Sequence, residues 1–257
     1  MRYQTQPQAL FIKNRKKLAQ KLLPNSLAVF HSNDIMPTNA DGTMRFRQNN
    51  DLFYLTGIDQ EESILVLCPD FPNEQMREIL FIRKTNEHIA VWEGHKYTQE
   101  EAFETSGIQN IQWVESFEST FNSLMALSEN VYLNTNEHLR AEVRVETRDA
   151  RFIKYCQERF PLHHYHRVAR LMHQLRAVKE PEEIDQLKIA CDITEKGFRR
   201  ILQYIKPGVM EYEIEAEFMH EFLMNRSRGF AYEPIIASGP SACVLHYIEN
   251  NKACKDG

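Results

Sequence analysis

Long apolar runs are missing from this 257-residue sequence, and no stretch approaches the roughly 20 residues that a membrane-spanning helix needs. The opening Met-Arg-Tyr-Gln-Thr-Gln-Pro-Gln has no apolar core of the kind a secretory signal uses. A CxxC pair is missing too. The five cysteines (Cys68, Cys156, Cys191, Cys243 and Cys254) are odd in number and widely scattered, which argues against a disulfide framework and for a reducing compartment. Excess positive charge is absent: 31 basic against 36 acidic residues give a net charge of −5, so neither nucleic acid nor a membrane surface is expected as a partner. There is no internal repeat, no G-x-G-x-x-G, no P-loop and no G-x-S-x-G, which removes support for nucleotide-binding and serine-hydrolase classes. A cytoplasmic globular protein is what remains, and 42% hydrophobic with 26% charged residues suits it.

What is present is an alternation of periods. Residues 8–23 carry Leu10, Phe11, Leu18 and Leu22 at helical spacing and stop at Pro24-Asn25; the basic run Arg15-Lys16-Lys17 within them is expected to face solvent. β-type runs are expected at 27–31, 51–56, 63–67, 79–82, 89–92 and 131–133, and helices at 98–105 and 117–127. Strands alternating with helices predict an α/β layer structure around a covered sheet. Residues 161–173 break the pattern, holding His163, His164, His166 and His173 with few regular signals. A domain boundary is placed there, dividing the chain into 1–170 and 171–257. Beyond it Pro181 suits a first helical position, and Glu182 and Glu183 suit the positive end of the helix dipole. That helix is expected to run to about 205, with Leu187, Ala190, Cys191, Phe198, Ile201, Leu202 and Ile205 on one face. Pro207-Gly208 ends it, and a second helix at 212–225 has an apolar stripe of Ile214, Phe218, Phe222 and Leu223. The last stretch is expected to form a β-type segment at 234–237, a Ser-Gly-Pro-Ser turn, and a second β-type segment carrying His246. Asp256-Gly257 is a turn signal that normally leads into another strand, so a fragment is expected.

The candidate chemistry is sparse. Three neighbouring histidines without a cysteine or carboxylate framework are weak support for a metal. His220-Glu221 on a helix starts a zincin pattern, but Met224 stands where the second histidine belongs. The polar stretch from Arg45 to Gly57 reads as a hydrogen-bond network that anchors a loop to the sheet. Val91-Trp92-Glu93-Gly94 puts a large aromatic before a turn, either as core or as a surface ring offered to a ligand or partner subunit. His246 beside a tight turn is either a buried structural histidine or a site residue.

The residues also carry a resemblance. Arg47-Gln48-Asn49-Asn50-Asp51-Leu52-Phe53-Tyr54-Leu55-Thr56-Gly57 resembles the N-terminal domain of the aminopeptidase P (Xaa-Pro aminopeptidase) family, and Val91-Trp92-Glu93-Gly94 lies at the distance of that domain's Trp-x-Gly motif. Leu175-Arg176-Ala177-Val178-Lys179-Glu180-Pro181-Glu182-Glu183-Ile184 is similar to the opening of the family's pita-bread catalytic domain. Ile235-Ile236-Ala237-Ser238-Gly239-Pro240-Ser241-Ala242-Cys243-Val244-Leu245-His246-Tyr247 is similar to the family's strand-turn-strand with its active-site histidine. Four motifs in order make the resemblance specific.

The resemblance implies an α/β fold: a mixed-sheet N-terminal α/β domain followed by a partial pita-bread α+β domain. It implies removal of the first residue from peptides with proline in second position. His246 then touches the substrate and the developing tetrahedral centre, Tyr232 is a substrate-binding aromatic near that site, and Trp92 is a substrate-binding aromatic that reaches toward a neighbouring subunit's active site in a homo-oligomer. It further implies two divalent metal ions, commonly manganese, held by two Asp, one His and two Glu. All five would lie beyond Gly257, so no metal is expected on residues 1–257 and no peptidase activity from them alone. The helices at 182–205 and 212–225 would then lack most of the sheet they cover. Prolidase, a creatinase-like amidinohydrolase and a non-catalytic pita-bread module that binds peptides or proteins are the alternatives.

Overall fold

Strand β1 (Ser26–His31) is buried along its whole length. A strand with alternating side chains and no solvated face must be covered on both sides. The computed structural model, which describes residues 3–256, meets that demand with a six-stranded mixed sheet in the order β4-β3-β2-β1-β5-β6. The other strands are β2 (Ile64–Leu67), β3 (Glu78–Ile82), β4 (Asn110–Trp113), β5 (Asn130–Leu133) and β6 (His164–Arg167). The β1–β2 and β2–β3 pairs are antiparallel; β3–β4, β1–β5 and β5–β6 are parallel.

Ala28 and Phe30 point to one face, with Leu65, Leu67, Leu80 and Ile82. Helices α1 (Gln8–Ala19), α2 (Asn50–Thr56), α4 (Gln99–Ser106) and α7 (Ala169–Ala177) cover that face through Leu18, Leu52, Leu55, Ala102 and Met172. Leu27 and Val29 point to the other, with Val66, Ile79, Phe81 and Val131, under Phe121 of α5 (Phe117–Met125) and Cys156 of α6 (Arg148–Arg159).

Two expected strands are helices. Residues 51–56 form α2 because the Asn49 side chain accepts the Asp51 and Leu52 amides and Gly57 ends the turn at φ 71°. A Cβ at Gly57 would lie 2.4 Å from the Phe11 ring, so glycine is needed for space as well as conformation. Residues 89–92 lie in α3 (Glu87–Glu93), whose N-terminus is capped by Asn86. In both, capping outweighs the aromatic and β-branched content. Helix α6 and strands β4 and β6 add elements to the expected pattern. Phe152, Tyr155, Cys156 and Phe160 do show helical spacing, within an arginine-rich stretch that hides it.

Arg15 corrects the expectation of a solvent-facing basic run. It is fully buried; its Nη1 donates to the carbonyls of Leu55 (2.8 Å) and Ser106 (2.9 Å), and its Nε to Glu78 Oε2 (2.9 Å). Those carbonyls belong to the last turns of α2 and α4, where unpaired C=O groups and the negative dipole end attract a cation. Lys16 remains exposed.

The chain divides into two compact units, Thr5–Val178 and Lys179–Gly257, the latter together with Met1–Gln4. A cut at 170/171 would pass through α7, whose Met172 and Leu175 belong to the core of the first unit. In the second unit α8 (Pro181–Tyr204) and α9 (Glu211–Met224) pair through Ile201, Ile214, Phe218 and Phe222. Gly197 allows the close approach: a Cβ there would meet the Phe218 ring at 2.8 Å. Most of the α8 stripe stays uncovered, with Leu187, Phe198 and Ile205 exposed and Leu202 76% exposed; only Ile201 of that stripe is buried.

Replacing Arg15 with Met should strand two carbonyls and a carboxylate, lowering unfolding stability by about 3 kcal/mol. Lys16→Met, one residue along, should change it by less than about 0.5 kcal/mol. Urea titration of both variants checks the contrast, and equal effects would contradict the role given to Arg15.

Candidate active site

The segment that carries His246 is held by one carboxylate. Pro207-Gly208 ends the preceding helix, and Glu211 becomes the first residue of α9, where the dipole favours negative charge. The side chain is fully buried. Its Oε1 accepts the Ser238 amide and hydroxyl, both at 2.7 Å; its Oε2 accepts the Tyr247 hydroxyl at 2.6 Å and the Lys252 amide at 3.0 Å. Burial by itself pushes the Glu211 pKa up, but the bonds from Tyr247, Ser238 and Lys252 outweigh it and bring the pKa down to about 2. The same bond, followed by burial, raises the Tyr247 pKa. One turn along α9, Glu215 accepts Asn250 Nδ2 at 2.8 Å, and Asn250 Oδ1 accepts the Ile236 amide at 3.0 Å.

These bonds explain why the expected strands at 234–237 and around His246 do not form. The amides of Ile236, Ser238 and Lys252 go to side chains instead of a ladder. The Ser-Gly-Pro-Ser turn is a 3₁₀ turn, Gly239–Cys243, and a single bridge, Met210 with Ala253, is the only strand-like pairing among the described residues of this segment. Gly257 lies outside the described residues.

His246 is exposed and has no hydrogen-bond partner among the described residues, while its neighbour Tyr247 is anchored on Glu211. The buried-histidine reading is therefore set aside, and the imidazole is presented to solvent from a fixed backbone. Tyr232, in the same unit, is 77% exposed. Trp92 belongs to the other unit and is 78% exposed, with Val91 beside it also exposed, so the core reading of that pair is set aside too. Glu211 was not a candidate in the sequence. Its one signal there is an acidic first-turn position after a Pro-Gly stop, and nothing local names its partners.

Helix α3 has no buried residue among its seven. The Arg83 guanidinium grips its last residue, Glu93, bidentately at 2.5 and 2.8 Å, and holds that carboxyl below its usual pKa. Lys96 and Arg83 both reach the buried Glu61. The C-terminal end of α3, next to Trp92, is thus held by an ion pair rather than by packing.

Two histidines of the cluster are bonded into the fold, and His164 is exposed. His163 Nε2 donates to the Met125 carbonyl at 2.9 Å, and His166 Nε2 bonds Asn130 Oδ1 at 2.8 Å while its ring stacks on Tyr132. Among the described residues no three His, Cys, Asp or Glu side chains gather closely enough to hold an ion. Residues 3–256 do not fit a metal centre. No helix among them is long and apolar enough to cross a membrane.

The depressed Glu211 pKa fixes the sign of one pH effect. A carboxylate with a lower pKa folded than unfolded stabilises above its unfolded pKa and loses that contribution as pH falls through the folded value. Stability should therefore drop as pH falls from about 4.5 toward about 2. Glu211→Gln should lose about 2 kcal/mol at neutral pH and show a flatter acid limb in urea titrations; an unchanged limb would remove Glu211 from this role. For α3, Glu93→Gln or Arg83→Met in a Trp113→Phe background should lower the fluorescence anisotropy of Trp92, and high salt should do so in the parent. Unaltered anisotropy would mean that another contact holds the helix.

Residues 11–132 match the family described as aminopeptidase P, N-terminal domain, and residues 185–257 match metallopeptidase family M24. The Xaa-Pro aminopeptidase of Escherichia coli K12 is 29% identical over 248 residues, 96% of this chain and 56% of that protein. Human Xaa-Pro aminopeptidase 3 is 26% identical, over 89% of this chain and 43% of its own length. Among solved structures, the Pseudomonas aeruginosa aminopeptidase PepP superposes with a TM-score of 0.86 at 26% identity, covering 98% of this chain and 57% of that one. Escherichia coli aminopeptidase P with the inhibitor Pro-Leu gives 0.82 at 27% identity, covering 99% and 58%. This chain thus spans a little over half of the bacterial relatives. Two family domains in sequence, over a backbone that superposes on solved aminopeptidases P, make the chain a member of the aminopeptidase P family, carrying its N-terminal domain and the start of its M24 catalytic domain.

Proposed function

We propose that this chain is part of an Xaa-Pro aminopeptidase, a cytoplasmic hydrolase that removes the first residue from peptides with proline in second position. The observation that carries the reading is the match of 96% of the chain to the Escherichia coli Xaa-Pro aminopeptidase. Family M24 consists of metallopeptidases, and the proposed cofactors are two divalent ions, manganese by the resemblance, held by side chains outside residues 1–257. His246 serves as the donor to the oxygen that gains charge as the scissile carbonyl becomes tetrahedral. Its exposure, and a backbone fixed one residue away through Tyr247 and Glu211, suit that task. The proline nitrogen of the substrate carries no hydrogen, so recognition rests on the shape of the ring rather than on a bond to that atom. Tyr232 contributes an aromatic surface near the substrate. Trp92, exposed on its ion-paired helix, is offered to a second subunit of a homo-oligomer.

The complete gene product should release arginine from Arg-Pro-Pro in a metal-dependent manner. His246→Ala should lower kcat/KM by about 100- to 1000-fold with an unchanged circular dichroism spectrum. Residues 1–257 by themselves should release none. Failure of the complete product to cleave, or cleavage by residues 1–257, would overturn the proposal. Turnover of Arg-Pro with none of Arg-Pro-Pro would transfer the assignment to a prolidase.

A further inference from the structure

The N-terminal unit has a cavity of about 530 Å³ that none of these roles uses. It opens beyond the carboxyl ends of β1 and β5, between the loops that follow them. Those strands are parallel neighbours, yet the chain leaves them in opposite directions. After β1 it passes to α2 on one face and then to β2 on one side; after β5 it passes to α6 on the other face and then to β6 on the other side. In open α/β sheets such a switch point opens a crevice in which ligands bind.

Four carboxylates and four guanidinium groups line the crevice, but they are not all paired with one another. Each lining carboxylate is already engaged: Asp51 with Arg176 at 2.7 Å, Asp34 with Arg151 at 2.7 Å and the Arg148 amide at 3.1 Å, Glu146 with Lys154 at 2.5 Å, and Asp149 with His31 at 3.5 Å. Two lining cations are not matched in this way. The half-buried Arg148 guanidinium donates from Nη1 to the Ser32 hydroxyl at 3.1 Å and has no carboxylate partner among the described residues. Arg47 has no side-chain partner among them. Burial lowers the Arg148 pKa, and the nearby Asp34, Glu62 and Asp149 carboxylates offset only part of that. A third lining residue, Asn134, is only 4% exposed; its Nδ2 donates to Asp51 at 2.9 Å, but its Oδ1 has no donor. A buried acceptor without a partner is costly. Two spare guanidinium groups and one spare acceptor describe a ligand: an oxyanion, which guanidinium binds through paired N–H groups, carrying a hydroxyl or amine.

We propose that the crevice at the ends of β1 and β5 binds a small organic oxyanion, a carboxylate or a phosphate, through Arg148 and Arg47, with a donor group of the ligand on Asn134. The volume suits a small metabolite. The site lies within one unit and stands independently of the peptidase assignment.

Titration calorimetry of the 257-residue chain at constant ionic strength tests it, with citrate, tricarballylate (citrate without its hydroxyl), phosphoserine and inorganic phosphate as probes and chloride as the control. Saturable single-site binding of citrate or phosphoserine is expected, and which of them binds identifies the anion as carboxylate or phosphate. Arg148→Met and Arg47→Met should each weaken binding by about tenfold or more, whereas Arg159→Met, on the same helix as Arg148 but outside the crevice, should not. Citrate should be preferred to tricarballylate in the parent and not in Asn134→Ala. Arg47 is exposed, so its variant stays informative even if Arg148→Met unfolds. No saturable binding by any probe, a response matched by chloride, or binding retained in a folded Arg47→Met variant would overturn the proposal.

Discussion

The burial of β1 on both faces is the constraint from which the N-terminal unit follows. Six consecutive buried residues cannot lie at an edge or on a solvated face. They require helices above and below and a strand on each side. Once β2 pairs antiparallel on one side and β5 parallel on the other, the loops leaving β1 and β5 must diverge. The crevice between them is therefore a consequence of topology, and the polar side chains along it need not fill it with packing.

Two charged groups do for backbone what packing does for side chains. Arg15 takes the last-turn carbonyls of α2 and α4, so two helix ends can be buried without leaving acceptors unpaired. Glu211 does the converse in the second unit, taking two amides and two hydroxyls. There it replaces a sheet: a segment of β-type composition that forms no strand is held by one carboxylate and by Asn250. Such an arrangement fixes the backbone beside His246 while leaving the imidazole itself in solvent.

The exposed apolar residues of α8 form a stripe of the kind that normally lies on a neighbouring layer. Trp92 and Val91 are exposed for a different reason: their short helix is tied down by Arg83 and Glu61, not by a core.

The sequence by itself determined the alternation of strands and helices, the α8–α9 pair, and the family, because periodicity, Pro-Gly punctuation and motif order are local properties of the chain. The aromatic and β-branched content of 51–56 and 89–92 pointed to strands, whereas the Asn49 and Asn86 caps make both segments helical. Only the tertiary structure decided that Arg15 is buried, that Glu211 anchors the His246 segment, and that Arg148 and Arg47 share a crevice. Each of these depends on groups brought together from distant positions, Arg15 with Ser106 and Glu211 with Tyr247, and neither a residue's type nor its neighbours along the chain specify which distant partner will meet its charge.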